Sequence, residues 1–314
     1  MAEQEQTLTI QQATDLAVQH HKSGRLSDAE SLYQQILQTD PDQPIALHLL
    51  GVIAHQVGKN DTAVDLITKA LNLKPDFAEA HNNLGNALQD LGKLEEAIAS
   101  YGKALAIKPD YADAHSNLGA ALQDQGKIDE AAKQIDLALS HQPGKAGWRI
   151  RKALLLPAIP YSKQDTQVRR DTLAKAVKDL MKQNLTVPNP LLEVGTTHFY
   201  LAYHDQRNNR GLMEDIAKLY IAACPKLTYE AKHCESKQRG GKDVLRIGFL
   251  SAYFREHPVG KFTRGIIQHL SRDRFEVIVF RPPGKQDHIS GIIDQTADKI
   301  VSLSGKLEKD QSRI

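Results

Sequence analysis

The chain of 314 residues lacks any apolar run long enough to cross a membrane. Its longest, Ala153 to Ile159, contains Pro157 and falls far short of the roughly 20 residues a spanning helix needs. Cysteine is scarce: Cys224 and Cys234 stand in no metal-like spacing, which predicts reduced thiols and a cytoplasmic setting. Charge of one sign is also missing. A net charge of +2 gives no footing for nucleic acid or an acidic membrane surface. The opening Met1-Ala2-Glu3-Gln4-Glu5-Gln6 is acidic and polar, unlike a signal peptide. Two adjacent pairs, His20-His21 and His233-Cys234, have no second ligand pair at useful spacing, so no metal is expected. The glycine pair Gly240-Gly241 precedes a strand-like run, whereas phosphate loops follow strands, so no nucleotide fingerprint is present and no cofactor is expected. What remains, 41 % apolar and 25 % charged residues, is ordinary for a soluble protein of about two domains.

Against these absences stands a strict period. Pro41, Pro75, Pro109 and Pro143 are 34 residues apart. At fixed offsets from them lie Gly24, Gly58, Gly92 and Gly126, then Ala29, Ala63, Ala97 and Ala131, then the bulky Tyr33, Ile67, Tyr101 and Ile135. Leu50-Gly51, Leu84-Gly85 and Leu118-Gly119 form a further set. Small residues where two helices touch, and a proline ending the second helix, resemble the tetratricopeptide repeat. Four such repeats are expected over residues 10–143. A unit of this kind cannot bury its apolar face alone; stacked units form a superhelix with a groove, a binding surface. Repeat one is poorer, with Ala17 and His20 at the usual glycine and bulky positions, as suits a terminal repeat.

The period is lost after Pro143, and residues 144–236 read as a helical connector. Gly147 to Leu156 is expected to extend or solvate the end of the array. Val168 to Asn184 is expected as an amphipathic helix with Leu173, Val177, Leu180 and Met181 on one side. A short apolar helix around Phe199 to Tyr203 follows, then one over Gly211 to Ala223 with Leu212, Ile216, Leu219 and Tyr220 inward. Cys234 to Asp243 is a polar linker. From residue 243 to 314 the pattern becomes strand, helix, strand, helix, strand, the opening of a doubly wound parallel sheet. Val244 to Ser251 fits a strand buried on both faces, and Pro258 to Leu270 a helix with Phe262, Ile266, Ile267 and Leu270 inward. A second strand is expected at Phe275 to Phe280, a helix at Ile289 to Ala297, and a third strand at Ile300 to Leu303. A sheet begun but not continued should leave an edge and apolar surface exposed, and so be less stable than the repeats.

Three stretches carry a family resemblance. AEAHNNLGNALQDLGKLEEAIASYGKALAIKPD, from Ala78 to Asp110, resembles a repeat of the protein O-linked N-acetylglucosamine transferases. LRIGFLSAYFREHPVGKFTRGIIQHLSRDRFEVIVF, from Leu245 to Phe280, resembles the first strand, loop and helix of that family's catalytic half, particularly in its bacterial, Spindly-like members. Phe199 to Leu227 resembles their connector. The resemblance implies a two-lobed transferase of the GT-B type, moving N-acetylglucosamine or a similar sugar, with inversion, from a uridine diphosphate sugar to Ser or Thr of proteins. It covers the N-terminal portion of such an enzyme: segments matching the donor-binding lobe are not in this chain, which is therefore expected to be catalytically incomplete. The alternative is a non-catalytic repeat adaptor for protein partners. A complementary lobe on another chain is a further partner the reading allows.

Two sets of site residues follow. His257 lies in the loop after the first strand, before a helix that Pro258 would begin, where open sheets bind ligands. The resemblance implies an active-site histidine there, considered as base for the acceptor hydroxyl; a histidine in that place also simply closes a turn. Ser251, Phe254 and Arg255 share its motif, with Ser251 expected to satisfy loop amides, and Lys261 and Arg264 follow in the helix. The second set is polar: Asn82, Asn83, Asn86, Gln89 and Asp90 in repeat three, matched by Ser116, Asn117, Ala120, Gln123 and Asp124 in repeat four. An asparagine amide offers a donor and an acceptor, so it can pair with the backbone of an extended peptide. The resemblance implies an asparagine ladder that does so, with Asn83 and Asn117 as its matches. The ladder is short, since Asp15 and Leu49 hold the equivalent places in repeats one and two. A solvent-facing polar surface would look the same.

Overall fold

The structure, a computed structural model, describes residues 9–195, 201–204, 207–228, 244–284, 286–305 and 310. The chain divides into two compact units, Met1–Pro225 and Lys226–Ile314. The His233-Cys234 pair, the 234–243 linker with its glycines, and Phe199 fall outside the described residues.

The first unit opens with eight helices in four hairpins: α1 Ile10–Lys22, α2 Leu26–Thr39, α3 Pro44–Gln56, α4 Asn60–Leu73, α5 Ala78–Asp90, α6 Leu94–Ile107, α7 Ala112–Asp124 and α8 Ile128–His141. Each first helix is stopped by its periodic glycine, which takes the left-handed conformation, with φ of 74° at Gly24 through 80° at Gly126. The next residue then donates back five positions, as Lys93 N–H does to Leu88 O at 2.9 Å, closing the turn. Helix contact depends on the other glycines. A Cβ on Gly85 would stand 2.5 Å from the Tyr101 ring, and one on Gly51 2.6 Å from Ile67 Cγ1. Tyr33, Ile67, Tyr101 and Ile135 are accordingly fully buried, with Ala29, Ala63, Ala97 and Ala131 beside them. Every second helix packs against the first helix of the following pair, so the hairpins form one stack.

Beyond Pro143 come α9 Ala146–Ala153, α10 Lys163–Met181, α11 Pro190–Glu193, α12 Leu201–His204 and α13 Arg210–Ala223. They share a core built around Ile150, Leu154, Leu173, Val177, Ile216 and Leu219. Helix α10 starts earlier than its apolar stripe, because Ser162 Oγ accepts from Asp165 N–H at 3.0 Å and caps it. Met181, expected inward, is exposed at the last turn.

The second unit holds β1 Leu245–Leu250, α14 Pro258–His269, β2 Phe275–Arg281, α15 His288–Thr296 and β3 Lys299–Ser302. The strands are parallel in the order β1-β2-β3, with Leu245 opposite Phe275 and Ile278 opposite Lys299. Helices α14 and α15 pack on each other and on a core of Phe254, Ile267, Val277, Val279, Ile289 and Ile293. Two expectations fail here. Strand β1 is not buried on both faces: it lies at one edge, and Leu245 is 65 % exposed. Of the four side chains expected inward only Ile267 is buried; Phe262 is 73 % exposed and Ile266 lies with it, because the helix has cover on one side alone.

Candidate functional site

The first helices of successive hairpins lie side by side, α3 on α5 and α5 on α7, and two rows of polar side chains run across them. In one row His21 Nε2 is 3.1 Å from Gln56 Oε1, His55 Nε2 2.8 Å from Asp90 Oδ2, and Gln89 Nε2 donates to Asp124 Oδ2 at 2.8 Å. In the other, Asn83 Nδ2 is 2.9 Å from His48 Nε2, Asn117 Nδ2 donates to Asn82 Oδ1 at 3.0 Å, and Arg151 Nη1 reaches Ser116 Oγ at 3.4 Å. Every rung joins a residue to one 35 positions later, a repeat length plus one, so each row repeats at the 34-residue period. Neither row was anticipated. Their signal is present as polar residues recurring at 35, but it is hidden because their identities change from histidine to glutamine to asparagine.

The expected amides therefore spend much of their capacity on one another. Asn82 is buried; its amide donates to Asn83 Oδ1 at 3.4 Å. Asn86 Oδ1 accepts both Tyr101 Oη, at 2.8 Å, and Asn117 Nδ2, at 3.0 Å. Gln89 Oε1 accepts the same tyrosine hydroxyl at 3.0 Å. Gln123 lies half-buried on α7, one place before the Asp124 rung. Burial and the nearby carboxylates of Asp90 and Asp124 push the Tyr101 phenol well above its ordinary range. Two polar atoms on this face keep no partner among the described residues: Asn86 Nδ2, a donor, and Asn117 Oδ1, an acceptor. Neither counts among the buried unsatisfied atoms, so both meet solvent.

The second row ends in α9, outside the sequence period. Arg149 Nη2 donates to Pro143 O at 2.6 Å, the part His81 and His115 play toward Pro75 O and Pro109 O at 2.9 Å. Arg151 occupies the place 34 residues beyond Asn117. Helix α9 thus stands where a further first helix would, and Arg149 keeps a contact that histidine makes in repeats three and four.

In the second unit His257 caps α14: Val259 N–H donates to its Nδ1 at 3.2 Å, and Pro258 follows at the first helical position. An accepting Nδ1 leaves the ring proton of neutral His257 on Nε2. The ring stacks on Tyr253 with centroids 4.5 Å apart. Gly260 is required, since a Cβ there would lie 2.1 Å from Arg255 O. Ser251 Oγ accepts Tyr253 N–H at 3.0 Å, the loop-amide role expected of it. Phe254 is buried in the core. Lys261 pairs with Glu256, which also lies 3.3 Å from His288 Nε2, so Lys261 is already engaged. Asp287 Oδ2 accepts Glu256 N–H at 2.6 Å, a bond that holds its carboxyl below the usual range. Arg255 lies over the Tyr253 ring at 5.8 Å, and Arg264 is half-buried on α14. Among the described residues, no cluster of three or more His, Cys, Asp or Glu side chains could hold a metal ion, and no helix is long and apolar enough to cross a membrane.

These features define a stack of helical hairpins with a polar face, and the comparisons name it. Residues 53–92 and 86–126 match the TPR repeat family model, so the chain carries tetratricopeptide repeats in a mostly helical superhelix, followed by a small three-stranded parallel sheet. No curated protein sequence matches it. Among solved structures, an O-GlcNAc transferase variant from Thermobaculum terrenum is 22 % identical with a TM-score of 0.37, covering 93 % of this chain. The chain spans 40 % of that structure. MamA from Desulfovibrio magneticus is 17 % identical with a TM-score of 0.46, over 59 % of this chain and 94 % of its own. YrrB, described as a TPR protein with an unusual peptide-binding site, is 16 % identical with a TM-score of 0.44, over 62 % and 91 %.

Proposed function

We propose that the repeat unit, residues 10–143 with the helices α9 to α13 that follow, holds an extended polypeptide by its main chain. The observation that supports this is the bonded pair Asn86 and Asn117, whose Nδ2 donor and Oδ1 acceptor are left open while their other polar atoms are fixed. A peptide backbone carries the complementary acceptor and donor in every residue. Fixed rungs also mean that little side-chain entropy is lost on binding. Calorimetry with serine- and threonine-containing dodecapeptides tests the reading. Binding that weakens about tenfold when Asn117→Ala is introduced supports it, one open hydrogen bond being worth about that much; equal binding by the variant refutes it.

The segment from residue 243 onward we read as the start of a GT-B glycosyltransferase lobe, on the strength of the Leu245–Phe280 resemblance. The lineage is then that of protein O-linked N-acetylglucosamine transferases, which move sugar to the Ser or Thr hydroxyl of the bound polypeptide. His257 is the residue that would meet the acceptor hydroxyl, and it would do so through Nε2, since Nδ1 serves the helix cap. Departure of the diphosphate needs cations or dipoles, and Lys261 is committed to Glu256. That commitment favours the adaptor as second reading for this chain alone. Titration with a uridine diphosphate sugar separates the two: heat of binding supports the transferase, and its absence with peptide binding retained supports the adaptor.

A further inference from the structure

Arg151 stands apart from the other cations at this end of the array. Lys152 pairs with Asp136, and Arg149 is held by Pro143 O and Gln183 Oε1. Arg151 is half-buried, yet among the described residues no carboxylate lies within ion-pairing distance of it. Its hydrogen bonds among the described residues are Nε–H to Val194 O at 2.7 Å and the long one to Ser116 Oγ. Nη2 is left without a partner and is not a buried unsatisfied atom, so it opens to solvent. A half-buried cation with no carboxylate paired to it gains when an anion arrives to meet its open edge. Its position matters equally. It fills the rung after Asn117, so a main chain lying along the ladder reaches it next. Tyr220 lies within its electrostatic reach, as does Asp124.

We infer that Arg151 is a carboxylate-binding rung: a polypeptide in the groove places one carboxylate on the outer edge of its guanidinium while Asn86 and Asn117 hold the main chain. This rests on the groove reading above. A planar guanidinium edge matches a carboxylate in two parallel hydrogen bonds. A monoanion suits the site better than a phosphate dianion, because the open edge belongs to one guanidinium and the Asp124 carboxylate is close by. The carboxylate has two sources, an acidic side chain or a free chain terminus.

Two measurements on the full chain test it. In the first, sodium acetate is titrated against the guanidinium resonances of Arg151, with sodium chloride as control. Saturable movement with acetate alone is expected, and no movement overturns the proposal. In the second, four dodecapeptides of one sequence carry Glu or Gln at a central position and a free or amidated C-terminus. A carboxylate-bearing peptide should bind about tenfold tighter than the uncharged one. Arg151→Gln should erase that preference, and the arm that shows it names the source. A preference surviving in Arg151→Gln overturns the proposal. If Arg151→Gln unfolds, Arg151→Lys, which keeps the charge but not the two-pronged edge, should retain only part of the preference; an undiminished preference there overturns the two-pronged contact. Acetate binding without any peptide binding would refute the groove reading and leave the anion site standing.

Discussion

Tyr33 and Tyr101 occupy the same place in repeats one and three, yet their hydroxyls meet different fates. Tyr101 Oη donates to Asn86 or Gln89, whereas Tyr33 Oη is buried with no partner among the described residues. An unmet buried hydroxyl costs about 1–3 kcal/mol, and a met one contributes about 1. Tyr33→Phe is therefore expected to raise the urea midpoint or leave it unchanged, and Tyr101→Phe to lower it by about 1–2 kcal/mol of stability; the reverse order would contradict the assignment. His48 supplies a second prediction. Burial lowers its pKa from 6.5 to about 4, against a smaller opposing effect of Glu79. Above pH 6.5 the ring is neutral folded and unfolded; below it the unfolded chain takes up a proton that the folded one refuses until about pH 4. Stability should thus fall across that window, by on the order of 3 kcal/mol at most. His48→Gln, which keeps an acceptor for Asn83, should flatten the slope in urea titrations at several pH values. At this scale the amides were visible in the sequence, but their bonds to one another were not. Asn82 and Asn83 were visible as a polar stripe, while their partners lie one repeat away and only the stack brings them together.

At the scale of elements, the glycines separate contact from mere conformation. Gly85 has no room for a methyl group against Tyr101, and Gly102, inside α6, has nothing within 4 Å. Gly85→Ala should cost about 2 kcal/mol by forcing α5 off α6. Gly102→Ala should instead stabilise by roughly 0.5–1 kcal/mol, since it removes only backbone freedom. Thermal unfolding of both variants checks the pair, and equal effects would mean that the interface yields. The eight repeat helices were legible because small and bulky residues recur at fixed offsets. Helix α9 was read as a bare extension because Trp148, Arg149 and Arg151 match nothing in the consensus, although Arg149 reproduces a contact made elsewhere by histidine. Helix α14 misled in the other direction: its apolar residues suggested a buried face, but apolar spacing shows only that a face exists, and whether anything covers it is settled by neighbouring elements.

For the whole molecule, the two units differ in how their backbones are protected. Repeats two to four have neighbours on both sides, while β1 has a strand on one side and leaves Leu245 and Leu250 more than half exposed. Amides of β1 should exchange with deuterium faster than those of α5 and α7; slower exchange would show that the strand is covered. The equal spacing of the rungs reaches further. A second copy of residues 78–111 inserted in tandem would find Gln89 facing a new Asp90 and Asn82 a new Asn83, the partners such residues already accept. Gene duplication could therefore lengthen the spiral one turn of the pattern at a time without inventing a single contact. Past Arg151 the recipe no longer works, because its Nε answers to the backbone of Val194 and not to another hairpin. That arginine is where a growing array comes to a stop.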